Sequence, residues 1–295
     1  MESATTFFVG IGAQRSGTTW IAKAFEDHPE IGMSPIKETH FWTSKHVAHQ
    51  RGAVRGLQAA KLRIPKLLSR CRQDPLKAPS WLMAYAGMMA HRDKSYRRFI
   101  ELGRGSCTVA GEITPAYATL SEDAFKSLDD CIDQPKYFLV LRNPADRLVS
   151  QIAHTKDIDP AIEQMDLQAL LALPYFSMRS DYAATYQTCV KVSGPERLHV
   201  LFYEDLFDQQ TAQATLDKLY AYIGVSSRHR EITEVINARP APRVDISRRE
   251  LVQSLRKDYQ FFNELFEDAL PQRWKQDIDH FLTCDGAQEA EVKEG

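Results

Sequence analysis

A glycine-containing turn near the N-terminus restricts the possible folds of this chain more than any other stretch. The apolar run Phe7–Ile11 has the composition of a buried strand, and the turn after it contains Gly12 and Gly17. A helical pattern begins at Thr18. Unpaired backbone N–H groups and the positive end of a helix dipole then converge on one place, where they bind anions. The turn predicts a phosphate-binding loop in an α/β protein. The alternative is an ordinary strand-to-helix turn that contains glycines.

The loop differs from the usual nucleoside-triphosphate loop in one position. The pattern G-x-x-x-x-G-K-[ST] fits Gly12, Gly17 and Thr19, but Thr18 stands where the lysine belongs. The loop's basic residue is Arg15, three positions earlier. The missing lysine argues against magnesium-dependent transfer of a terminal phosphate. An arginine inside the loop suits a fixed positive charge on the oxygen between two anionic centres.

Further apolar runs predict the rest of the sheet. Cys107–Gly111, Tyr137–Leu141 and Arg197–Tyr203 have strand composition, and helical patterns separate them. Four strand-like runs that alternate with helices predict a parallel sheet covered by helices on both faces, as in P-loop kinases. We expect one domain over residues 1–284 and a disordered acidic tail over 285–295.

The run Tyr137–Leu141 ends in Arg142, where a magnesium-dependent enzyme would often place an aspartate. Asn143 can cap the helix that follows, and Ser150 lies eight positions after the arginine. An arginine and a hydroxyl group at this spacing can hold one terminal phosphate, the arginine by a bidentate contact. The alternative is a capped surface helix.

A charged and aromatic loop follows the first helix. It contains Lys37, Glu38, His40, Phe41 and Trp42. Polar residues in loops at the carboxyl side of a parallel sheet are frequently functional. Glu38 is our first candidate for a general base and His40 is its rival, unless Glu38 only pairs with Lys37 or another basic neighbour. The aromatic neighbours would raise the pKa of Glu38 by excluding water.

The stretch 51–77 is strongly basic. It forms part of a predicted helical insert over residues 45–105, and we expect an amphipathic helix broken at Pro65. The insert is either a solvated helical segment or a lid that attracts an anionic substrate or a membrane surface. The methionines of Trp81–Met89 indicate core packing or an acceptor pocket. The stretch 51–77 contains one acidic residue, Asp74, and eight basic residues: Arg51, Arg55, Lys61, Arg63, Lys66, Arg70, Arg72 and Lys77.

The block after the second long strand contains two more candidates. Glu112 is expected to be a structural ion-pair partner rather than a second base. Tyr117 either forms a wall of the site or packs at the end of the strand. Near the C-terminus, Leu251–Leu270 predicts a final amphipathic helix.

Composition excludes several classes of protein. The net charge of −2 gives no general attraction to nucleic acid, and no 18-residue apolar run is present. The five cysteines are scattered, which argues against a zinc site and a disulfide framework. The first strand begins about six residues from the N-terminus, so we expect no signal peptide.

Several of these blocks together resemble the 3′-phosphoadenosine-5′-phosphosulfate (PAPS)-dependent sulfotransferase family. Gly12–Trp20 looks like its 5′-phosphosulfate loop, in which a basic residue precedes Ser-Gly-Thr-Thr. Lys37–Trp42, Gly111–Tyr117, Leu141–Ser150 and Phe202–Leu206 extend the resemblance over about two thirds of the chain. It is closer to the bacterial and carbohydrate or heparan-type branch than to the small-phenol branch.

The resemblance implies a role for each candidate residue. In the family, a glutamate at the position of Glu38 deprotonates the acceptor, and an arginine with a serine eight residues later binds the donor's 3′-phosphate. His40 remains the rival base, and Trp20 either stacks on the adenine or packs the helix. Arg15 would also stabilise the leaving group. The implied donor-binding residues are Gln14, Arg15, Ser16, Gly17, Thr18, Thr19, Trp20, Arg142, Ser150, Tyr203, and Arg239 and Arg243, whose loop departs from the usual family spelling.

The sequence therefore predicts a sulfotransferase that uses PAPS, needs no metal and acts on a hydroxyl or amine. The acceptor could be a small molecule, a carbohydrate or a lipid. We expect no nucleic-acid partner, and oligomeric state stays open. Family members of the Golgi carry a membrane anchor, and its absence here predicts a soluble, cytoplasmic, bacterial protein. An ATP-dependent kinase and a non-catalytic nucleotide-binding module are the alternatives.

Overall fold

A five-stranded, all-parallel sheet forms the centre of the structure, with the strand order β2-β3-β1-β4-β5. The computed structural model describes residues 6–46, 53–230 and 246–283, without the side chains of 53–62. The predicted parallel sheet is confirmed. Its strands are β1 (Thr6–Gly12), β2 (Ile31–Met33), β3 (Val109–Ile113), β4 (Lys136–Leu141) and β5 (Leu198–Phe202).

Helices cover both faces of this sheet, as the alternation of patterns predicts. Short 3₁₀ segments lie between some of them, at 115–119, 160–164, 195–197 and 267–269. The helices are α1 (Thr18–Glu26), α2 (Phe41–His46), α3 (Ala53–Gln73), α4 (Ala78–Met89), α5 (Asp93–Arg104), α6 (Glu122–Ile132), α7 (Pro144–Lys156), α8 (Leu167–Ala172), α9 (Pro174–Ser180), α10 (Tyr182–Ser193), α11 (Tyr203–Leu206), α12 (Ala212–Ile223), α13 (Arg248–Ser254), α14 (Arg256–Phe266) and α15 (Gln272–Phe281).

The two cores follow from the alternation of side chains along β1. Phe7, Val9 and Ile11 point into the larger core, which also contains residues of α4–α7, α10 and α14. Phe8 points to the opposite face and packs with Phe25 of α1 and with α12. Because successive side chains of a strand lie on opposite faces, one apolar run supports helices on both sides of the sheet.

Strand β2 was not among the four predicted strands. Its three residues, Ile31–Met33, pair with Val109–Gly111 of β3 and form one edge of the sheet. A three-residue apolar run is too short for its periodicity to distinguish a strand from a turn. This strand matters for function because the charged loop with Glu38 follows it.

Two predictions about helices were wrong. Pro65 lies inside α3 and does not end it. The helix continues because Leu67 and Cys71 on its following turns are buried against the core, which offsets the cost of the missing hydrogen bond. The predicted final helix over 251–270 is divided into α13 and α14 at Leu255, whose N–H reaches the carbonyls of two different preceding residues. A further helix, α15, follows.

A hydrogen-bond network ties the C-terminal helices to the turn between β4 and α7. Asn143 caps α7 as predicted, because its side chain accepts a hydrogen bond from the Asp146 N–H at 3.1 Å. Its Nδ2 donates to Asp277 of α15 at 2.7 Å. Tyr259 and Arg248 donate to the same carboxylate at 2.8 and 2.5 Å. Side chains of the C-terminal helices α13, α14 and α15 thus hold the turn that carries Arg142.

A second set of buried polar groups lies between α7, α9, α10 and α14. Arg147 is 1% exposed and donates to Ser180 Oγ at 2.5 Å, with its guanidinium 5.9 Å from the Tyr182 ring. On α14, the Asp258 carboxylate accepts a hydrogen bond from the Ala183 N–H at 2.8 Å. Burial raises the pKa of this carboxyl to about 7. The ionised form is therefore unfavourable in the folded state.

We expect Asp258→Asn to stabilise the protein in a pH-dependent way. The wild-type carboxyl has a higher pKa folded than unfolded, so its contribution to stability is greatest below the unfolded value and falls as pH rises through about 7. The asparagine keeps the oxygen that binds Ala183. The free energy of unfolding should rise by roughly 4 kcal/mol at pH 8 and change little near pH 4.

Urea denaturation of both proteins at several pH values measures this difference. Asp130→Asn, at an exposed position of α6, is the matched control and should show no such dependence. An equal gain at pH 4 and pH 8 would contradict the assignment, because it would mean that the charge of Asp258 is not the cause.

Candidate active site

The candidate residues of the sequence come together at the carboxyl edge of the sheet. The phosphate loop follows β1, the charged loop follows β2, Arg142 follows β4, and Tyr203 begins α11 after β5. Parallel strands all end at the same edge, so residues far apart in the chain become neighbours there. Ligands of open α/β sheets bind at this edge.

The loop after β1 has the backbone of an anion site. Gly17 is the N-cap of α1 and has a φ of 79°, and a Cβ there would lie 2.6 Å from the Phe207 ring. No side chain caps α1, and its first turn contains no acidic residue. Arg15 also has a left-handed backbone, with a φ of 68°. The positive helix end is therefore available to an anion.

The two predicted anion-binding parts are in direct contact. Arg15 Nε donates a hydrogen bond to Ser150 Oγ at 3.1 Å. Arg142 donates to the carbonyl oxygen of Arg15 at 3.1 Å, and its guanidinium lies 4.5 Å from the centre of the Tyr203 ring. Four residues from four segments of the chain thus form one continuous set of contacts.

Lys37 joins the phosphate loop to the charged loop. Its ammonium donates to Thr19 Oγ1 at 2.7 Å and lies 3.4 Å from Glu38 Oε1. A lysine from the loop after β2, two strands away from β1, thus contacts the phosphate loop, which has a threonine at position 18. From the sequence, Lys37 was expected only as a possible pairing partner of Glu38. Its position after an apolar run was the signal, and it was missed because β2 was not recognised as a strand.

Glu38 and His40 form a close pair. His40 Nε2 lies 3.5 Å from Glu38 Oε2, and Lys37 lies on the other carboxylate oxygen. Both residues have left-handed backbones, with φ values of 60° and 52°. Non-glycine residues in this region are strained, and such strain is concentrated at functional sites.

The pKa of Glu38 differs from our expectation. Burial raises it, but the hydrogen bond with His40 and the charge of Lys37 outweigh burial and hold the pKa at about 2. The neighbouring aromatic rings point elsewhere: Phe41 and Trp42 are buried in the core, where Phe41 stacks on Tyr96. The net pKa is therefore lowered and not raised, and Glu38 is ionised at neutral pH.

A buried carboxylate below this loop accepts five hydrogen bonds. Glu112 of β3 is fully buried. The hydroxyl groups of Thr39, Tyr96 and Thr114 donate to it at 2.7 Å each, Tyr117 at 2.8 Å, and the Thr39 N–H at 3.2 Å. Among the residues that the structure describes, no ion pair reaches Glu112. The expected ion pair is replaced by neutral donors.

Glu112 and its four donor residues, which we call the Glu112 cage, fix the position of the charged loop. Thr39 lies between Glu38 and His40 in the chain, so two hydrogen bonds to Glu112 anchor the residue between the two candidate bases. Tyr117 is fully buried in the same cage, which favours strand-end packing over a wall of the site. Glu112 therefore holds the loop and does not face the reacting groups.

The remaining loop residues have contacts that the sequence did not indicate. Gln14 Oε1 accepts a hydrogen bond from Arg179 Nε at 2.6 Å, and the Arg179 guanidinium lies 4.2 Å from the Tyr175 ring. Arg179 belongs to α9, in a segment without a recognisable motif. Ser16 and Thr18 are buried within the loop.

Trp20 is buried on α1 and packs edge-on against Phe207, with ring centres 5.7 Å apart. The Arg230 guanidinium lies 5.4 Å from its ring. These contacts are those of helix packing, and the role of Trp20 toward adenine stays a prediction. Arg239 and Arg243 lie outside the described residues.

The described residues contain neither a candidate metal site nor a candidate membrane-spanning helix. No group of three or more His, Cys, Asp or Glu side chains in that part of the chain is arranged to hold a metal ion. This leaves the expectation of a metal-free reaction untested. No described helix has the length and apolar character needed to cross a bilayer.

Comparison with known proteins agrees with the geometry. The family model for the sulfotransferase domain matches residues 7–240. A sulfotransferase from Alicyclobacillus acidocaldarius has a similar structure, with a TM-score of 0.58 and 19% identity over 92% of this chain and 99% of that one. Sulfotransferase STF9 from Mycobacterium avium gives a TM-score of 0.50 and 14% identity over 90% of this chain and 78% of its own. A search of curated proteins returns no significant match.

We expect Glu112→Ala to destabilise the protein strongly. It removes the acceptor of four buried hydroxyl donors, so those donors lose their common partner in a fully buried site. The loss in unfolding free energy should be roughly 3–5 kcal/mol, measured by urea denaturation. Tyr117→Phe removes one donor only and should cost about 1 kcal/mol. Equal losses in the two variants would show that Glu112 does not organise the cage.

Proposed function

This chain belongs to the sulfotransferase domain family, and on that premise we propose that it transfers a sulfuryl group from PAPS to a hydroxyl or amine acceptor. Membership and fold support sulfuryl transfer in general. The donor, the base and the acceptor class are our proposal, and the site geometry supports the donor and the base.

The contact between Arg15 and Ser150 carries the proposal. Arg15 belongs to the loop that would bind the 5′-phosphosulfate, and Ser150 to the pair that would bind the 3′-phosphate. A donor with anionic groups at both its 3′ and 5′ positions needs two anion sites that share one pocket. A nucleoside triphosphate has no 3′-phosphate and needs only the first.

The charges at the site fit such a donor. Arg15, Lys37 and Arg142 lie around the N-terminus of α1, whose first turn has no acidic residue. When bound, PAPS supplies the sulfuryl group: the bond from sulfur to its bridging oxygen breaks, and that oxygen keeps the electron pair as adenosine 3′,5′-bisphosphate. Arg15 and Lys37 would stabilise that negative charge, with each preorganised donor contributing about 3–4 kcal/mol.

Glu38 would take the proton from the acceptor. Its pKa of about 2 keeps it ionised at physiological pH, and the same low pKa makes the unliganded carboxylate a weak proton acceptor. Lys37 lies between Glu38 and Thr19, so the proposed base and the proposed donor loop are one side chain apart. His40 would orient the carboxylate through its Nε2, 3.5 Å away.

Two rival functions make different demands on these residues. An ATP-dependent kinase would use the loop but has no need of the Arg142–Ser150 pair. A non-catalytic nucleotide-binding module would keep both anion sites and has no need of Glu38. Donor binding separates the first rival, and turnover of a Glu38 variant separates the second. A panel of hydroxyl and amine acceptors, read by the mass gain of one sulfuryl group, identifies the acceptor class.

The donor prediction concerns Arg142 and Ser150. Arg142→Ala should weaken binding of adenosine 3′,5′-bisphosphate by roughly 10- to 100-fold, and Ser150→Ala by roughly 5-fold, because each removes a hydrogen bond to an anion. Isothermal titration measures both. Arg98→Ala, at an exposed site on α5, is the matched control and should change nothing. Wild-type affinity for ATP equal to that for the bisphosphate would favour the kinase instead.

The base prediction compares two variants. Glu38→Gln should keep donor binding and lose turnover by roughly 10²–10⁴-fold, because the amide cannot accept the proton. His40→Ala should cost less. In the wild type, turnover should show no acidic limb from Glu38 above about pH 4, since its pKa is about 2. Near-normal turnover of Glu38→Gln together with an inactive His40→Ala would make His40 the base.

A further inference from the structure

Exposed apolar side chains are concentrated on α3, α4 and the turn between them. The described residues include nine large hydrophobic side chains with high exposure, and six of these lie between positions 64 and 89. Leu76 in the turn is 94% exposed and Met83 is 73% exposed. The six are Ile64, Leu68, Leu76, Leu82, Met83 and Met89.

These side chains are not loosely packed core. Neighbouring positions on the two helices are buried: Leu67 and Cys71 on α3, and Trp81 and Tyr85 on α4. The methionines of α4 are divided in the same way: Met88 is buried, whereas Met83 and Met89 are exposed. The hairpin is thus anchored by one set of apolar residues and presents another set to the outside.

Positive charge surrounds this apolar set. Residues 39–92 contain one of the chain's 39 acidic residues, Asp74, although they make up nearly a fifth of its length. The chain as a whole has a net charge of −2. Five basic residues lie on the described part of α3 and the following turn: Arg63, Lys66, Arg70, Arg72 and Lys77. We call the six apolar and five basic residues together the hairpin surface.

A pocket lies between the hairpin surface and the segment that follows β2. It has a volume of about 180 Å³ and is lined by Arg70, Lys77 and Trp81 on one side and by Met33 and Pro35 on the other. Met33 ends β2, and Pro35 belongs to the segment that leads to Glu38. Arg70 and Lys77 of the hairpin surface therefore line the same pocket as the segment that leads to Glu38.

We propose that the hairpin surface docks the protein on an anionic lipid bilayer. Apolar side chains at the tip of the hairpin enter the boundary between headgroups and acyl chains, and the flanking lysines and arginines contact anionic headgroups. A second copy of the chain fits this surface poorly, because a symmetric contact would oppose two strongly basic patches. A nucleic acid would leave the exposed leucines and methionines without a partner. The inference does not depend on which donor the enzyme uses.

Vesicle flotation with the full chain tests the proposal. The probes are vesicles of phosphatidylcholine alone and vesicles that contain about 30% phosphatidylglycerol. The wild type should float with the anionic vesicles only, and less so as salt rises from about 0.05 M to about 0.5 M. Leu76→Glu with Met83→Glu should lower the partition coefficient by about tenfold or more, because both apolar contacts are lost. Both positions are exposed, so the fold is not at risk.

Matched control variants distinguish binding through the hairpin surface from non-specific adsorption to vesicles. Ile158→Glu changes an equally exposed apolar residue elsewhere and should float like the wild type. Arg70→Gln with Lys77→Gln should weaken flotation, whereas Arg98→Gln with Arg273→Gln, at exposed sites on other helices, should not. Equal binding to neutral and anionic vesicles, or unchanged flotation of the Leu76 and Met83 variant, would overturn the proposal. A third outcome would also overturn it: the wild type sediments as a dimer and binds no vesicles, and the Leu76 and Met83 variant is a monomer. That result would assign the hairpin surface to a second copy of the chain.

Discussion

Several positive charges must share one edge of the sheet, and the rest of the structure accommodates that requirement. Arg15, Arg142, Lys37 and Arg179 repel one another at this edge. Each donates a hydrogen bond to an uncharged oxygen: the Ser150 hydroxyl, the Arg15 carbonyl, the Thr19 hydroxyl and the Gln14 amide, respectively. An uncharged acceptor orients a cation without reducing its charge, whereas Lys37 is also paired with the Glu38 carboxylate at 3.4 Å. Four cations at one edge of the sheet favour a polyanionic ligand.

Two buried polar networks hold the loops that carry these cations. The Glu112 cage anchors the loop after β2, and the network around Asp277 anchors the turn after β4. Both are built from buried groups whose hydrogen bonds are made between distant segments, and both would be costly to leave half-satisfied. The second network uses α13–α15, which lie beyond the residues that the family model matches. The C-terminal helices therefore belong to the structural support of the site.

Local patterns made part of this site predictable from the sequence. The Gly17 turn, the strand that ends in Arg142 and the Asn143 cap each depend on residues a few positions apart, and all three were found correctly. The contacts of Lys37 with Thr19 and of Arg179 with Gln14 join residues 18 and 165 positions apart, which no local pattern encodes. The same holds for the partners of Glu112. Pro65 was misjudged because tertiary burial outweighs helix propensity.

The position of β2 at the edge of the sheet has a consequence for how such an enzyme can change over time. The donor-facing residues are mounted on β1, β4 and β5, whereas the loop with Glu38 and the α3–α5 insert follow the edge strand β2. Insertions and deletions at an edge leave the central strand pairs intact. Under the roles proposed here, acceptor preference can diverge between descendants of one ancestor while the donor machinery is inherited unchanged. For protein engineering, the segment to exchange is residues 53–89, because Lys37 contacts the donor loop and Tyr96 contacts Glu112.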